Sequence, residues 1–202
     1  TLEHIGSRFV ELNEDEQSIL FSRERTEINL GSVGKGFAID WCCRKLLDAE
    51  INDFLIHAGG SSVAARGSRF GQRGGWSIGV AHPMRPERRL AELFLKNQAV
   101  GTSGSGKQFF RHQGQRLCHI LDPRSGRPAE GVISVTVVAP NARDADALST
   151  AMFVMGPERS IEYCRNHPEV GFVMVVPIRK APGYDVITHG IDEKRILWHD
   201  KW

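Results

Sequence analysis

VISVTVVAPNARDADALSTAMFVMGP (132–157) is the stretch whose reading decides the fold. Its first eight residues, VISVTVVA, are dominated by β-branched side chains, which fit a pleated sheet and restrict a helix, so they read as a central strand. Asp144 to Met155 then follow a helical pattern closed by Gly156-Pro157, a helix-stop pair. Before this unit, GKQFFRHQGQRLCHILDP (106–123) holds Gly114 between two β-rich runs and predicts a hairpin. LAELFLKNQAV (90–100) and WSIGVAH (76–82) have strand character, with His82-Pro83-Met84-Arg85-Pro86 as a turn between them. Gly59 to Gly75 reads as one long loop after the buried strand DFLIHA (53–58). Further upstream, a helix runs to about Glu50, and Phe37, Trp41, Cys42, Leu46 and Ala49 recur on what reads as its buried face. RFVELN (8–13) and QSILFS (17–22) flank Glu14-Asp15-Glu16 as a hairpin. After the central unit come a short helix near 158–166 and strands near 170–176 and 194–198. Strands outnumber helices and come as hairpins, which predicts an α+β fold with a mainly antiparallel sheet and packed helices. No repeat or linker divides residues 1–202, so a single domain is expected.

Composition narrows the function classes. With 202 residues, 41% of them hydrophobic, the chain can bury one sizeable core. Its net charge of +2 gives no field that argues for nucleic acid or an anionic membrane, and Arg85, Arg88 and Arg89 read as a solvated turn. Nothing approaches the ~20 apolar residues of a transmembrane helix. The chain opens on Thr1, so its natural start is expected to lie upstream and its compartment is not legible. The four cysteines form no CxxC, which removes the commonest zinc and redox readings, and all four are expected to be buried thiols. Glycine, 21 residues, is enriched in a few loops, which suggests close backbone approach to a ligand.

Four segments carry candidate chemistry. Gly101-Thr-Ser-Gly-Ser-Gly106-Lys107 fits part of a phosphate-binding P-loop, but Gln108 stands where a Ser or Thr hydroxyl is needed, and no helix pattern follows. The loop is expected to approach a ligand without being a Walker loop. Gly31-Ser-Val-Gly34-Lys35-Gly36 lies between a strand and a helix. Unpaired amides at a helix N-terminus, with the charge of Lys35, make a seat for phosphate; the alternative is a tight turn in which glycine serves packing. There is no G-x-G-x-x-G, so a Rossmann dinucleotide fold is unsupported. In Asp144-Ala-Asp146-Ala-Leu-Ser149-Thr150, Asp146 and Thr150 are four apart on one helical face and offer two oxygen ligands to Mg²⁺; the alternative is an N-capping acid with a surface Thr. A helix-start acid costs only about 1 kcal/mol to lose. In Cys118-His119-Ile-Leu-Asp122-Pro-Arg124-Ser-Gly126, His119 near Asp122 suits proton transfer, against a structural His and an Asx turn.

In order and spacing these segments resemble the ApbE family of FAD:protein FMN transferases. The likeness rests on Asn29-Leu-Gly-Ser-Val-Gly-Lys-Gly-Phe-Ala-Ile-Asp40, Gly59-Gly60 after a strand, Thr102-Ser103-Gly104, His119 to Gly126, and Ser134-Val-Thr-Val137 followed by Ala145 to Ala151. The resemblance implies an ApbE-like fold related to the T-fold, of which this chain would be the C-terminal two-thirds. It implies Mg²⁺-dependent cleavage of FAD, with FMN passing to a Thr or Ser hydroxyl of an acceptor flavoprotein and AMP leaving. Carried over by position, the metal ligands are Asp146, Thr150 and the backbone carbonyl of Ser32, with a weaker contact at Ser149. Flavin contacts fall on Asn29, Lys35, Ser103, Gly104, His119 and Leu121, and the catalytic positions are His119 and Asp146. Lys35 is expected to meet the FAD pyrophosphate and to be nearly neutral for stability without ligand. Asn29 replaces the family's usual Asp, His57 its usual Asn, and Phe37 its Tyr. Family members carry a further N-terminal region, and a bacterial, periplasmic or membrane-anchored setting is implied if such a region bears a signal. A flavin- or nucleotide-binding module without transferase activity is the alternative.

Overall fold

The computed structural model describes residues 5–69, 74–85, 87–106, 109–112, 115–178 and 183–199. A short 3₁₀ turn leads into the hairpin β1 (Val10–Asn13) and β2 (Ser18–Phe21), as the sequence predicts. Helix α1 (Gly34–Asp48) follows, then β3 (Phe54–Ala58) and β4 (Ser62–Arg66). Next come β5 (Trp76–Ala81), β6 (Arg89–Leu95), β7 (Gln98–Gly104), and the hairpins β8 (Phe109–His112) with β9 (Gln115–Cys118) and β10 (Leu121–Asp122) with β11 (Arg127–Pro128). The chain continues through β12 (Ser134–Ala139), α2 (Ala142–Asn166, broken at Gly156, whose φ of 76° and ψ of −179° are not helical), β13 (Gly171–Pro177), β14 (Tyr184–His189) and β15 (Ile196–Trp198).

Six strands form the main sheet in the order β14-β13-β12-β7-β4-β3, and every pairing in it is antiparallel. β12 is central, as its composition predicts, and period-2 alternation sends its side chains to two different cores. Val135, Val137 and Ala139 join Ile39, Met152, Phe153, Phe172 and Met174 beneath the two helices. Val138 joins Val100, Val173 and Val175 on the opposite face, against Leu90, Leu93 and Leu95 of β6. There the second sheet, β15-β6-β5, covers the first. Burial on both faces is why an antiparallel strand here reads as a continuous apolar run. The result is the α+β architecture expected: helices, six-stranded sheet, three-stranded sheet.

Several expectations are corrected. Residues 59–75 are not one loop, since Ser62–Arg66 form β4 after a turn in which Gly59 and Gly60 take φ of 61° and 70°. LAELFLKNQAV is two strands, broken where Asn97 adopts φ 54°. Thr102-Ser103-Gly104 lies in β7 and not in a loop, so the P-loop geometry is absent up to Gly106; Lys107 and Gln108 lie outside the described residues. The buried face of α1 carries Gly36, Ile39 and Cys43, whereas Phe37 and Trp41 are 61% and 55% exposed. The predicted face is rotated because the helix packs through its small residues. Cys42 is exposed, and the other three thiols are buried. β14 has no counterpart in the sequence reading.

On the outer sheet Glu92 accepts hydrogen bonds from Ser77 and from Arg89 (2.6 Å) and lies 3.0 Å from His199. The Ser77 bond first, then that from Arg89, lower its pKa from 4.5 to about 2. A depressed acid contributes stability above its unfolded pKa and loses it as pH falls toward the folded value. Wild type should therefore lose stability between about pH 4.5 and pH 2 by a route that Glu92→Gln lacks. Thermal melts of both proteins across that range check this, and parallel curves would contradict it.

Candidate functional site

The site forms where the N-termini of the two helices meet at the end of β4 and along β7. Asn141 caps α2, its side-chain oxygen accepting from the Asp144 amide at 2.8 Å. Asp40, at the end of the Gly36–Asp40 turn of α1, accepts from the amides of Ala142 (2.8 Å) and Arg143 (2.8 Å). Two otherwise orphaned donors of α2 are thus satisfied by the neighbouring helix. Close approach makes this possible: a Cβ on Gly36 would lie 2.2 Å from the Ala142 carbonyl oxygen, and one on Gly101 2.1 Å from that of Ala145. Glycine at these positions sets the separation of α2 from α1 and from β7.

This docking places Asp146 in the second turn of α2, 4% exposed. Its Oδ2 accepts from the Gly36 amide at 3.0 Å. Its Oδ1 accepts from Ser62 Oγ at 2.9 Å and pairs with Lys35 Nζ at 3.1 Å. The reading of Asp146 as a helix cap is therefore corrected, because Asn141 and Asp40 do that work. The phosphate seat is corrected in part as well. The Gly34 amide donates to Leu30 (2.7 Å) and the Gly36 amide to Asp146, so the anion held at the start of α1 is the protein's own carboxylate. Lys35, expected to be nearly neutral for stability without ligand, instead closes an ion pair with a buried acid.

One turn further along α2, Ser103 Oγ lies 2.9 Å from Ser149 Oγ and 3.1 Å from Thr150 Oγ1, and Ser149 Oγ donates to the Asp146 carbonyl at 2.9 Å. Alternation along β7 explains this: Gly101 and Ser103 face α2, while Thr102 pairs with Thr136 (3.0 Å). The structure thus brings Lys35, Ser103, Asp146, Ser149 and Thr150 onto one connected stretch. Asn29 joins it through the turn before α1. Its Oδ1 accepts from the Gly31 amide (2.8 Å), and Lys35 Nζ reaches the Gly31 carbonyl (3.3 Å). This is an Asx turn, which an Asp side chain can also make. Ser32 lies in the exposed turn preceding the helix.

The remaining predicted positions lie at the end of β7 and on the segment from His119 to Leu121. His119 is exposed between buried Cys118 and Ile120, and Leu121 is 52% exposed. Their segment is tied to α2 through Arg124, which grips Asp122 (2.7 Å) and donates to the Val154 carbonyl (3.3 Å). Hydrogen bonds from Arg124 hold the Asp122 pKa below its ordinary value. Gly104 ends β7 opposite Ser134. Ser62 and Asp40 are the residues that the sequence reading missed. The second Ser after the glycine pair, and an Asp four residues after Gly36 on one face of α1, were the available signals.

Among the described residues no three His, Cys, Asp or Glu side chains gather as a metal cluster. The predicted set differs in kind, with one carboxylate and otherwise hydroxyl and carbonyl oxygens. An all-oxygen set of this sort suits a hard cation that keeps several other ligands.

With this geometry in place, comparison with known proteins is specific. A model of the ApbE family matches residues 1–174. The chain belongs to the ApbE family. An FAD:protein FMN transferase of Escherichia coli K12 is 35% identical over 140 residues, covering 68% of this chain and 39% of that protein. One from Treponema pallidum is 34% identical over 180 residues, covering 85% and 49%. The crystal structure of the ApbE protein from Thermotoga maritima superposes with a TM-score of 0.79 at 33% identity, covering 91% of this chain and 58% of that one. This ApbE chain thus spans about half the length of the curated relatives it matches. Among its described residues no helix is long and apolar enough to cross a membrane.

Proposed function

We propose that this chain carries the chemical centre of an FAD:protein FMN transferase, in which FMN passes from FAD to a Thr or Ser hydroxyl of an acceptor flavoprotein and AMP leaves. The observation that carries this reading is the buried Asp146, held by Lys35, Ser62 and the Gly36 amide beside the hydroxyls of Ser103, Ser149 and Thr150. Breaking a pyrophosphate depends mainly on positioning and on neutralising charge, so cations and fixed donors are the parts required. Asp146 and Thr150, with the Ser32 carbonyl, are the residues that would hold Mg²⁺. Such an ion supplies charge neutralisation on the phosphate oxygens. Lys35 adds a second cation beside it, and the packing of Gly36 and Gly101 keeps the two helices and β7 in register around it. Asn29, Gly104, His119 and Leu121 are proposed flavin contacts, and His119 the group that handles the acceptor proton. The relatives named FAD:protein FMN transferase support this reading.

The test is intact-mass measurement of an acceptor peptide with a Thr target after incubation with the protein, FAD and Mg²⁺. Addition of one FMN phosphoryl unit with equimolar AMP is expected. Stable FAD binding without either product would favour a flavin-binding module instead.

A further inference from the structure

Three partners hold the Asp146 carboxylate, and they differ in their freedom to leave. The Gly36 amide is helix backbone, and Ser62 is completely buried in β4. Lys35 is on the rim: its side chain is 39% exposed, and its other contact is a long 3.3 Å bond to the Gly31 carbonyl. A carboxylate has about four acceptor directions. Two are fixed by Gly36 and Ser62, and the outward one on Oδ1 faces the Lys35 ammonium.

We infer that Lys35 is a placeholder cation: it occupies Asp146 in the ligand-free protein, and a divalent cation arriving at Asp146 displaces it toward incoming phosphate. The inference rests on the metal reading proposed above. Its physical basis is like-charge exclusion. A dication on Oδ1 and an ammonium at 3.1 Å from the same oxygen repel in a site that is largely shielded from water. Of the three partners only a flexible, half-exposed lysine can move without unfolding anything. A charge released in this way is delivered beside the cation, where a substrate's phosphates would lie. Binding linkage then requires that the ion pair weaken Mg²⁺ affinity by the same factor by which Mg²⁺ weakens the ion pair.

Calorimetric titration with MgCl₂ alone, on the full chain without FAD, tests this. Lys35→Met should bind Mg²⁺ on the order of tenfold tighter than wild type, because no resident cation must leave. Lys35→Arg should stay close to wild type. In the wild-type protein, acetylation of Lys35 by an amine-reactive ester, followed by peptide mass spectrometry, should accelerate severalfold when Mg²⁺ is added. That second readout needs no variant to fold. Equal or weaker Mg²⁺ binding by Lys35→Met, or a Lys35 labelling rate unmoved by bound Mg²⁺, overturns the placeholder role while leaving the metal reading standing. Absence of Mg²⁺ binding to every one of these proteins overturns both.

Discussion

Asp146→Asn is expected to fold and to lose FMN transfer by at least about 100-fold, the upper end of what disturbing a metal centre's supporting groups costs. The amide keeps one carbonyl oxygen for the Gly36 amide or Ser62, so the docking of α2 survives while the charge is lost. Asp146→Ala is the harsher change. It leaves the Gly36 amide and the Ser62 hydroxyl without a partner in a buried position and strips Lys35 of its anion. Each unpaired buried group costs about 1–3 kcal/mol. The alanine variant should therefore be destabilised by roughly 3–5 kcal/mol, the scale of breaking a buried charge pair. That exceeds the ~1 kcal/mol of a helix cap, which is what its place near the start of a helix suggests. Denaturant titration of both variants beside the transfer assay separates the effects. An asparagine variant with full transfer at low Mg²⁺ would contradict the role given to Asp146.

Gly101→Ala should be destabilised by about 3 kcal/mol, the upper end for overpacking. The new methyl group would meet backbone: the Ala145 oxygen at 2.1 Å and the Asp146 nitrogen at 2.7 Å. Neither can rotate away, so α2 must retreat from β7 and carry Asp146, Ser149 and Thr150 with it. For a chain of this size the melting temperature should fall by roughly 6–12 °C, and transfer should fall too. Gly106→Ala is the control, since its methyl group would meet nothing within 4 Å. It should stay within about 0.5 kcal/mol of wild type. Equal stability of the two variants would show that the helix–sheet approach is not set by Gly101.

How far the sequence carries this account depends on whether the signal is local. β12 and α2 were legible because VISVTVVA and the helix after it are continuous patterns with a strong turn at Gly156-Pro157. That Asp146 and Thr150 share one helix was legible from their spacing. β4 was hidden because its short run of small residues follows two glycines and looks like loop; only pairing with β7 gives it meaning. Ser62 was hidden for the same reason, as it lies 84 residues from the carboxylate it meets. The buried face of α1 was misassigned because large side chains usually mark the core. Here Gly36 permits a helix contact too close for them, which leaves Phe37 and Trp41 outside. That the Gly36 amide is taken by Asp146 was not legible, since sequence does not say which internal acceptor a helix-terminal amide has already taken.

The most direct test of the central claim, that Asp146 is the cation centre on which transfer depends, is anomalous diffraction from crystals soaked with Mn²⁺ and FAD. The account predicts a peak at coordination distance, about 2.0–2.2 Å, from an Asp146 carboxylate oxygen and Thr150 Oγ1, with Lys35 moved off Asp146. A peak elsewhere, or none with Lys35 still paired to Asp146 beside bound FAD, would contradict it.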